Sequence, residues 1–279
     1  NFSRKIARTN ETIGWVSRTR AQNPGVAGVA IGLAGLEQGR GLDVVPSYSM
    51  RESKDYTSGE TTTDSEPSLD VFYKFTPSMT GVLTLNTDFS ATEVDDRQVN
   101  LTRFSLFFPE KRDFFLQDAD IFEFGRIGGS NFGGGGNQNG RPFFSRTIGL
   151  SASREPVPLD VGAKLTGRAG PWNLGVLNIR QEQFEDIDAT DLFVGRATLN
   201  VLEESSVGVI VTDGDPQTNL DNTLVGVDFR YLSTRLPGRR SLTGEAWVQQ
   251  SDTPELDGED SAYGVGFQVR APDKFSGDA

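Results

Sequence analysis

The sequence has no cysteine and no histidine, and both absences restrict the chemistry open to it. Without cysteine there are no disulfides, no thiolate metal sites and no thiol nucleophiles. Without histidine there are no Ser-His-Asp triads, no histidine-ligated zinc sites and no imidazole general bases. Any catalysis would have to use carboxylates, lysine, tyrosine or an unassisted hydroxyl group.

Positive charge and long apolar runs are also scarce. The chain has 27 Lys and Arg against 39 Asp and Glu, a net charge of −12, so it lacks the basic excess that binds nucleic-acid phosphates. No run reaches the roughly 18–20 apolar residues of a membrane-spanning helix. A transmembrane strand needs only about 9–11 residues with every second side chain apolar, so the low hydrophobic content is compatible with a transmembrane barrel.

Alternation of apolar and polar residues is the clearest pattern in the chain. In the stretch LVGVDFRYL, Val225 and Val227 share one strand face, and Asp228 and Arg230 share the other. No segment carries an apolar stripe of helical period with capping residues, although 109–123 could hold a short helix or turn. We therefore predict an all-β chain. The thirteen predicted strands are 26–36, 41–51, 68–76, 81–90, 98–107, 143–150, 159–167, 172–181, 193–201, 206–213, 224–232, 241–250 and 263–271.

The connections between these strands alternate in length. RAGP (168–171) and EES (203–205) are tight, whereas ESKDYTSGETTTDSEP (52–67), EQFEDIDATD (182–191) and GDPQTNLDN (214–222) are long. In an up-and-down meander every second connection lies at the same end, so short turns gather at one rim and long loops at the other. This pattern is typical of an antiparallel, up-and-down outer-membrane β-barrel.

Charge follows the length of the connections. The long loops are acidic, as at Glu185, Asp186 and Asp188, and the short ends carry arginines such as Arg168 and Arg235. The simpler interpretation is that these loops are solvated surface. The functional interpretation is that divalent cations bridge the loop carboxylates to lipopolysaccharide or to a ligand, because hard cations prefer clustered oxygens.

One stretch interrupts the strand pattern. NLTRFSLFFPEKRDFFLQDADIFEFG (100–125) holds seven Phe among charged residues. We predict an insertion, 108–142, at the short-turn rim between strands 98–107 and 143–150, because so long a connection is not a plain turn. The insertion could be a plug or gate in the lumen or across the rim. Alternatively, its first three Phe residues form an aromatic girdle at the membrane interface and the others form a satellite core.

Several motifs resemble a known bacterial family. The stretch with seven Phe, RPFFSRTIGL (141–150) and GAKLTGRAGPWNLGVLN (162–178) are similar to the family called domain of unknown function 5916. The resemblance implies an outer-membrane-type barrel that follows a carbohydrate-binding module similar to family nine. NFSRKIARTNETIGW (1–15) is similar to the closing strand of that module. The resemblance thus implies that 1–24 is the end of the module plus a linker and that 25–279 is an incomplete barrel domain.

We expect further strands beyond Ala279, because bacterial single-chain barrels normally have an even number of strands. The function we expect is that of a non-enzymatic protein of the bacterial outer membrane that binds or transports carbohydrate or peptide, without a cofactor. Its partners would be membrane lipid and lipopolysaccharide, a glycan or peptide ligand, and divalent cations at the acidic loops. Alternative interpretations are a hydrolase with a carboxylate pair and a soluble β-sandwich that binds a ligand.

Charged residues in the insertion, or opposite the apolar strand faces, are the candidates for plug and lumen. They are Arg103, Glu110, Lys111, Arg112, Asp118, Asp120, Lys164, Arg196, Asp228, Arg230 and Arg270. Alternation also assigns Asp160, Thr166, Asn200 and Gln268 to the lumen.

Overall fold

The structure is a computed structural model, which describes the chain in several stretches. These are residues 3–6, 11–14, 41–54, 59, 61–87, 110, 112–125, 141–151, 157–237, 240–254, 256, 258 and 260–270. The predicted strands 26–36 and 98–107 lie outside the described residues.

A short antiparallel hairpin lies near the N-terminus. It pairs β1 (Ser3–Ile6) with β2 (Glu11–Gly14). Alternation of side chains did not predict these strands, because four residues are too few to show a clear pattern. The family resemblance implied one strand within 1–15, and the structure has two there.

Ten further strands form one antiparallel sheet, in which each strand pairs with its neighbours in sequence. Strands β3 and β12 are the two edges, and the sheet is not closed within the described residues. The all-β, up-and-down part of the prediction is therefore confirmed. The strands are β3 (Leu42–Lys54), β4 (Thr61–Thr76), β5 (Met79–Thr87), β6 (Leu159–Ala169), β7 (Trp172–Gln181), β8 (Thr190–Val201), β9 (Ser205–Asp213), β10 (Thr223–Leu236), β11 (Arg240–Asp252) and β12 (Ser261–Arg270).

Short and long connections alternate along this sheet, as the sequence predicts. The short connections follow β4, β6, β8 and β10, at the end of the sheet that we call the short-turn end. The longer connections follow β3, β5, β7, β9 and β11, so the chain leaves and re-enters the sheet for them at the opposite end, the long-loop end. The prediction of a loop over 52–67 is mostly wrong. Strands β3 and β4 extend into this stretch and pair in register from Lys54 and Thr61 onward.

Ten of the thirteen predicted strands correspond to β3–β12. The prediction of a strand at 143–150 is wrong. This stretch contains a 3-10 helix, Ser145–Thr147, followed by a turn at Gly149, whose φ is +71°. Strand β5 consequently pairs directly with β6. The chain between them leaves and returns at the long-loop end, so the placement of the insertion at the short-turn rim is also wrong.

The helical structure in the described part of the chain is short. Helix α1 (Asp113–Leu116) and a 3-10 helix, Ala119–Phe122, confirm the prediction of a short helix or turn within 109–123. Among the described residues, none of the helices has the length and hydropathy of a membrane-spanning helix.

The sheet has one covered face and one open face. The covered face lies against residues 110–125, which we call the crossing segment; Lys111 within it lies outside the described residues. Side chains of the covered face include Thr84, Lys164, Thr166, Leu177, Ile179, Val194, Arg196, Ile210 and Asp228. Large side chains of the open face include Leu83, Leu85, Leu165, Val176, Val209, Val225, Val227, Phe229 and Val248.

The hydrophobic core lies between the crossing segment and the covered face. Phe114, Phe115, Phe122 and Phe124 are buried there against aliphatic side chains of β5–β10. The expectation that aromatic residues of this stretch pack into a core is confirmed for these four. The three Phe residues proposed as an interfacial girdle, Phe104, Phe107 and Phe108, lie outside the described residues.

A register shift at the start of β6 corrects two predicted orientations. The pairing of β6 with β7 is irregular between Leu159 and Val161. Leu159, predicted to face lipid, is buried in the core. Asp160 was predicted to face the lumen. Its Oδ2 atom instead lies 3.6 Å from Nε of Arg180, an exposed residue of β7. The reason is that one irregular residue in a ladder reverses the faces of the side chains before it.

Glycines of the covered face provide the space for the crossing segment. A Cβ atom added at Gly175 would lie 2.8 Å from Ile121 Cγ2 and 2.9 Å from Phe122 Cζ. At Gly226 it would lie 2.7 Å from Phe124 Cζ. Any larger residue at these positions would displace the aromatic rings above them, because interiors are closely packed.

We predict that Gly175→Ala lowers the free energy of unfolding by about 1–3 kcal/mol, the usual cost of overpacking. Guanidinium-induced unfolding of the full chain measures this. The matched control is Gly244→Ala, where the new Cβ would make an ordinary 3.6 Å contact with Tyr231 Cβ. Equal effects of the two substitutions would contradict the close packing at Gly175.

Candidate functional site

The crossing segment spans the covered face from the long-loop end to the short-turn end. At the long-loop end, the backbone N–H of Gly149, close to the start of the segment, donates to Gln181 Oε1 at the end of β7 (2.9 Å). At the short-turn end, Arg168 Nη2 donates to Asp120 Oδ2 (3.0 Å). Between these points, the segment is held by three groups of polar contacts. We call these groups the first, second and third anchors.

The first anchor is a buried ion pair at the start of the segment. Arg112, only 5% exposed, donates from Nε to Glu110 Oε1 (2.8 Å) and from Nη2 to Glu110 Oε2 (2.7 Å). Its Nη1 and Nη2 also donate to the carbonyl oxygens of Ile148 and Ser145, both at 2.6 Å. One guanidinium fork thus joins the segment to residues that return toward β6. The sequence places these two parts more than thirty residues apart.

The environment of Glu110 favours its charged form. Burial would raise the pKa of this carboxyl group, but the hydrogen bonds and the charge of Arg112 outweigh the burial. A hydrogen bond from Ser145 Oγ to Glu110 Oε2 (2.7 Å) acts in the same direction. The pKa of Glu110 is lowered from its ordinary 4.5 to about 2.

The second anchor is Lys164, in the middle of β6. Its Nζ donates to the carbonyl oxygens of Phe114 and of Gln117, the latter at 2.8 Å. These carbonyls lie in and directly after helix α1, where the last carbonyls have no partner within the helix. Next along the strand, Thr166 Oγ1 donates to Asp118 Oδ2 (2.7 Å). The alternation in β6 therefore directs two polar side chains at one turn of the segment.

The third anchor is the pair of Arg196 in β8 and Asp228 in β10. Arg196 Nη1 donates to Asp228 Oδ1 (2.6 Å) and Nη2 donates to Oδ2 (2.9 Å). Asp228 Oδ2 also accepts from the backbone N–H of Gly125 (3.1 Å), at the end of the segment. The guanidinium lies 5.5 Å from the ring centre of Phe124 and over Gly208, where a Cβ would be 2.6 Å from Nη1.

The structure thus brings most of the predicted plug and lumen residues together on the covered face. Arg230 joins them as part of the lining of a cavity beside the third anchor. Arg103 and Lys111 lie outside the described residues, as does the side chain of Arg270 at the end of β12.

Several polar residues of the covered face were missed by the sequence analysis. Thr84 donates to Asp70 Oδ1, and Gln181 Nε2 donates to the carbonyl oxygen of Pro216 (2.8 Å). Thr84 lies between Leu83 and Leu85, so the period of two could have identified it. Gln181 follows Arg180 and precedes Glu182, so alternation could not have distinguished it. No sequence signal could have identified Ser145, because its contacts depend on the fold of the insertion.

The long-loop end contains close carboxylates. A hydrogen bond with Asp160, together with burial, raises the pKa of Glu182. Among the described residues, no group of three or more acidic side chains is placed to hold a metal ion. The bridging of acidic loops by divalent cations stays a prediction.

Taken together, the anchors fix both the position and the direction of the crossing segment on the sheet. Burial of aromatic side chains has no directional preference, whereas each anchor accepts only one arrangement of donors and acceptors. The arrangement is suited to holding a chain segment across a sheet face, and any movement of the segment would require these contacts to break.

Comparison with known proteins gives one family match. Residues 41–186 match the family model described as Domain of unknown function (DUF5916). Neither the curated proteins nor the solved structures contain a match to this chain.

We predict that Arg112→Met lowers the free energy of unfolding by about 3–5 kcal/mol, because it leaves a buried carboxylate without its partner. Chemical denaturation measures the loss. The control is Arg168→Met, which removes an exposed ion pair with Asp120 and should cost at most about 1 kcal/mol. Similar losses for the two variants would show that the first anchor is not buried as described.

We also predict a dependence of stability on pH that originates at Glu110. Its folded pKa is lowered to about 2, so its stabilising effect is complete above pH 4.5 and is lost as the pH falls toward 2. Unfolding measured between pH 2 and pH 7 should show this loss, and Glu110→Gln should reduce it. An unchanged pH profile in the variant would refute the assignment.

Proposed function

We propose that this chain, which belongs to the family of domain of unknown function 5916, forms part of a bacterial outer-membrane β-barrel. The crossing segment would occupy the interior as a plug, and the open face would contact lipid. The protein would act without catalysis, in the binding or transport of a carbohydrate or peptide.

The observation that carries this proposal is the chemistry of the open face. Large apolar side chains cover it and remain exposed, most of all Tyr263 (84%), Val265 (85%) and Phe267 (75%) on β12. Contiguous apolar surface of this kind is rare on soluble monomers and usually marks a contact with protein or membrane. On a transmembrane barrel the same apolar surface would contact the lipid of the bilayer.

The covered face also supports the proposal, because it is polar where the open face is apolar. It carries buried charged and polar groups, among them Lys164, Arg196 and Thr166. A barrel interior is polar and is often filled by a loop or a helix. The strands are nine to sixteen residues long, which reaches the roughly 9–11 residues that a tilted transmembrane strand needs.

The proposal also requires the open sheet to close into a barrel. In lipid, the unpaired backbone groups of β3 and β12 would have to find partners, because no water is present to bind them. The edges would pair with further strands or with each other. A β-sandwich would instead need a second large sheet facing the first, and the described residues contain only one ten-stranded sheet and one two-stranded hairpin.

The positions of the anchors support the proposed plug role. The crossing segment is tied to β6 in the middle of its length and to β8 and β10 at its end. A segment held in this way would obstruct the interior of a closed barrel. Its release would require the Arg196–Asp228 pair to lose its contact with Gly125.

Substitutions on the open face test the proposal. We predict that Val227→Arg destabilises the protein by roughly 2–4 kcal/mol, the cost expected at the bilayer midplane, because Val227 is level with Val209 at the centre of β9. Gln250→Arg is the control, because Gln250 is on the same face near the long-loop end and should cost only about 0–1 kcal/mol there. Unfolding of the chain reconstituted in lipid vesicles measures both values.

Fractionation provides the second readout. Expressed with a secretory signal, the full chain should be found in the outer-membrane fraction and should show heat-modifiable migration on gels. Recovery in the soluble periplasm, together with small and equal effects of the two arginine substitutions, would contradict the proposal.

A further inference from the structure

The open face of the sheet carries a band of side chains without charge. From β5 to β10, the described side chains that point to this face in the middle of each strand are apolar. They are Leu83, Leu85, Ala163, Leu165, Leu174, Val176, Ala197, Val209, Val211, Val225 and Val227. Toward the long-loop end the same face becomes charged, where Arg180 Nη1 in β7 lies 2.9 Å from Asp191 Oδ2 in β8. The band is therefore bounded by charge at one end.

The short turns at the other end are staggered along the sheet. A row of directly opposite residues runs from Met79 in β5 through Gly167 in β6 to Ala197 in β8. The turn after β4 begins at this row. Strand β6 continues two residues beyond the row, to Ala169, and β8 continues four residues beyond it, to Val201. The short-turn rim thus advances by one residue per strand from β4 to β8.

This stagger corresponds to a tilt of the strands. With a rise of about 3.3 Å per residue and about 4.8 Å between strands, one residue per strand gives a tilt of about 35°. The long-loop end is staggered in the same direction. Strand β7 ends at Gln181, seven residues from the row at Leu174, and β9 ends at Asp213, four residues from the row at Val209. A constant stagger of this kind, with a tilt of about 35–45°, is what closure of a barrel requires.

Aromatic side chains of the open face follow the stagger of the short-turn rim. Phe75 lies beside the row near the end of β4, where its ring packs edge to face on Tyr73, with ring centres 4.9 Å apart, and over Gly81. Trp172 lies two residues beyond the row in β7, and Tyr231 lies four residues beyond it in β10. Phe75 and Trp172 remain 59% and 44% exposed. The three rings form a line that advances with the rim, on the opposite side of the band from its charged boundary.

The height of the band suits the hydrocarbon layer of a membrane. On β7 it extends over eight residues, from Trp172 to Arg180, which is about 26 Å along the strand at about 3.3 Å per residue. A tilt of about 35° reduces this length to a height of about 22 Å, close to the roughly 25 Å apolar band of transmembrane barrels.

We propose that the short-turn end of the open face lies in the headgroup region of one leaflet, with Phe75, Trp172 and Tyr231 as its aromatic anchors. Tyrosine and tryptophan suit this region because each has an apolar ring and a group that hydrogen-bonds to headgroups or water. A protein partner would not require aromatic residues to be separated from aliphatic ones along a line that follows the strand tilt. The inference rests on the proposed function and adds to it the depth and tilt of the strands in the bilayer.

Depth-dependent quenching of tryptophan fluorescence tests the proposal. The full chain is reconstituted in phosphatidylcholine vesicles whose acyl chains carry bromine atoms either near the glycerol backbone or near the methyl ends. The double variant Trp15→Phe/Trp247→Phe leaves Trp172 as the only tryptophan of the chain. We expect the shallow bromines to quench Trp172 at least about twofold more strongly than the deep ones.

The matched control adds Trp172→Phe and Val209→Trp to the double variant. Val209 is on the open face at the centre of β9, so its replacement should be quenched more strongly by the deep bromines. If Trp247→Phe fails to fold, the difference in quenching between the unmodified chain and Trp172→Phe gives the same comparison of depths.

The outcomes separate this inference from the proposed function. Quenching of Trp172 that is equal at the two depths, or stronger with the deep bromines, would overturn the inference. The proposed function would survive that result, because the face would still contact lipid. Absence of quenching both for Trp172 and for the Val209→Trp variant would contradict the inference and the proposed function together.

Discussion

Burial of four phenylalanine rings against one face of a single sheet is the interaction on which this structure depends. A lone sheet has no second layer to cover its apolar side chains, so another element has to supply one. The crossing segment does so with Phe114, Phe115, Phe122 and Phe124. Each fully buried ring contributes about 1.5–3 kcal/mol, and glycines such as Gly175 and Gly226 make the approach close enough for the rings to pack.

The buried charges have a different role from the aromatic rings. Transfer of Arg112, Lys164 and Arg196 out of water is costly, and their hydrogen bonds offset this cost without a large surplus. Their effect is to select one position of the segment from the many that apolar contact alone would allow. The carbonyls after helix α1 and the N–H of Gly125 are satisfied only in that position.

The strands could be predicted from sequence because side-chain alternation reports which face of a strand is buried. The same rule placed Lys164, Arg196, Asp228 and Arg230 correctly on the covered face. It failed at Leu159, where an irregular pairing of β6 with β7 reverses the faces of the strand. It also failed at 143–150, where hydrogen bonds from side chains to backbone carbonyl oxygens take the place of pairing with a neighbouring strand. That second error placed the insertion at the wrong end. The cavity beside the third anchor was not predictable, since part of its lining comes from the crossing segment, whose path over the sheet depends on tertiary contacts.

Direct pairing of β5 with β6 separates two kinds of folding step. From β6 to β12, and again from β3 to β5, each strand pairs with the one that precedes it across a connection of nine residues or fewer, so these parts can form by successive local hairpins. Joining β5 to β6 must instead close the chain across residues 88–158, with a larger loss of chain entropy. The sheet thus consists of a three-stranded and a seven-stranded unit, and we expect the pairing of these two units to be the slowest step of its folding.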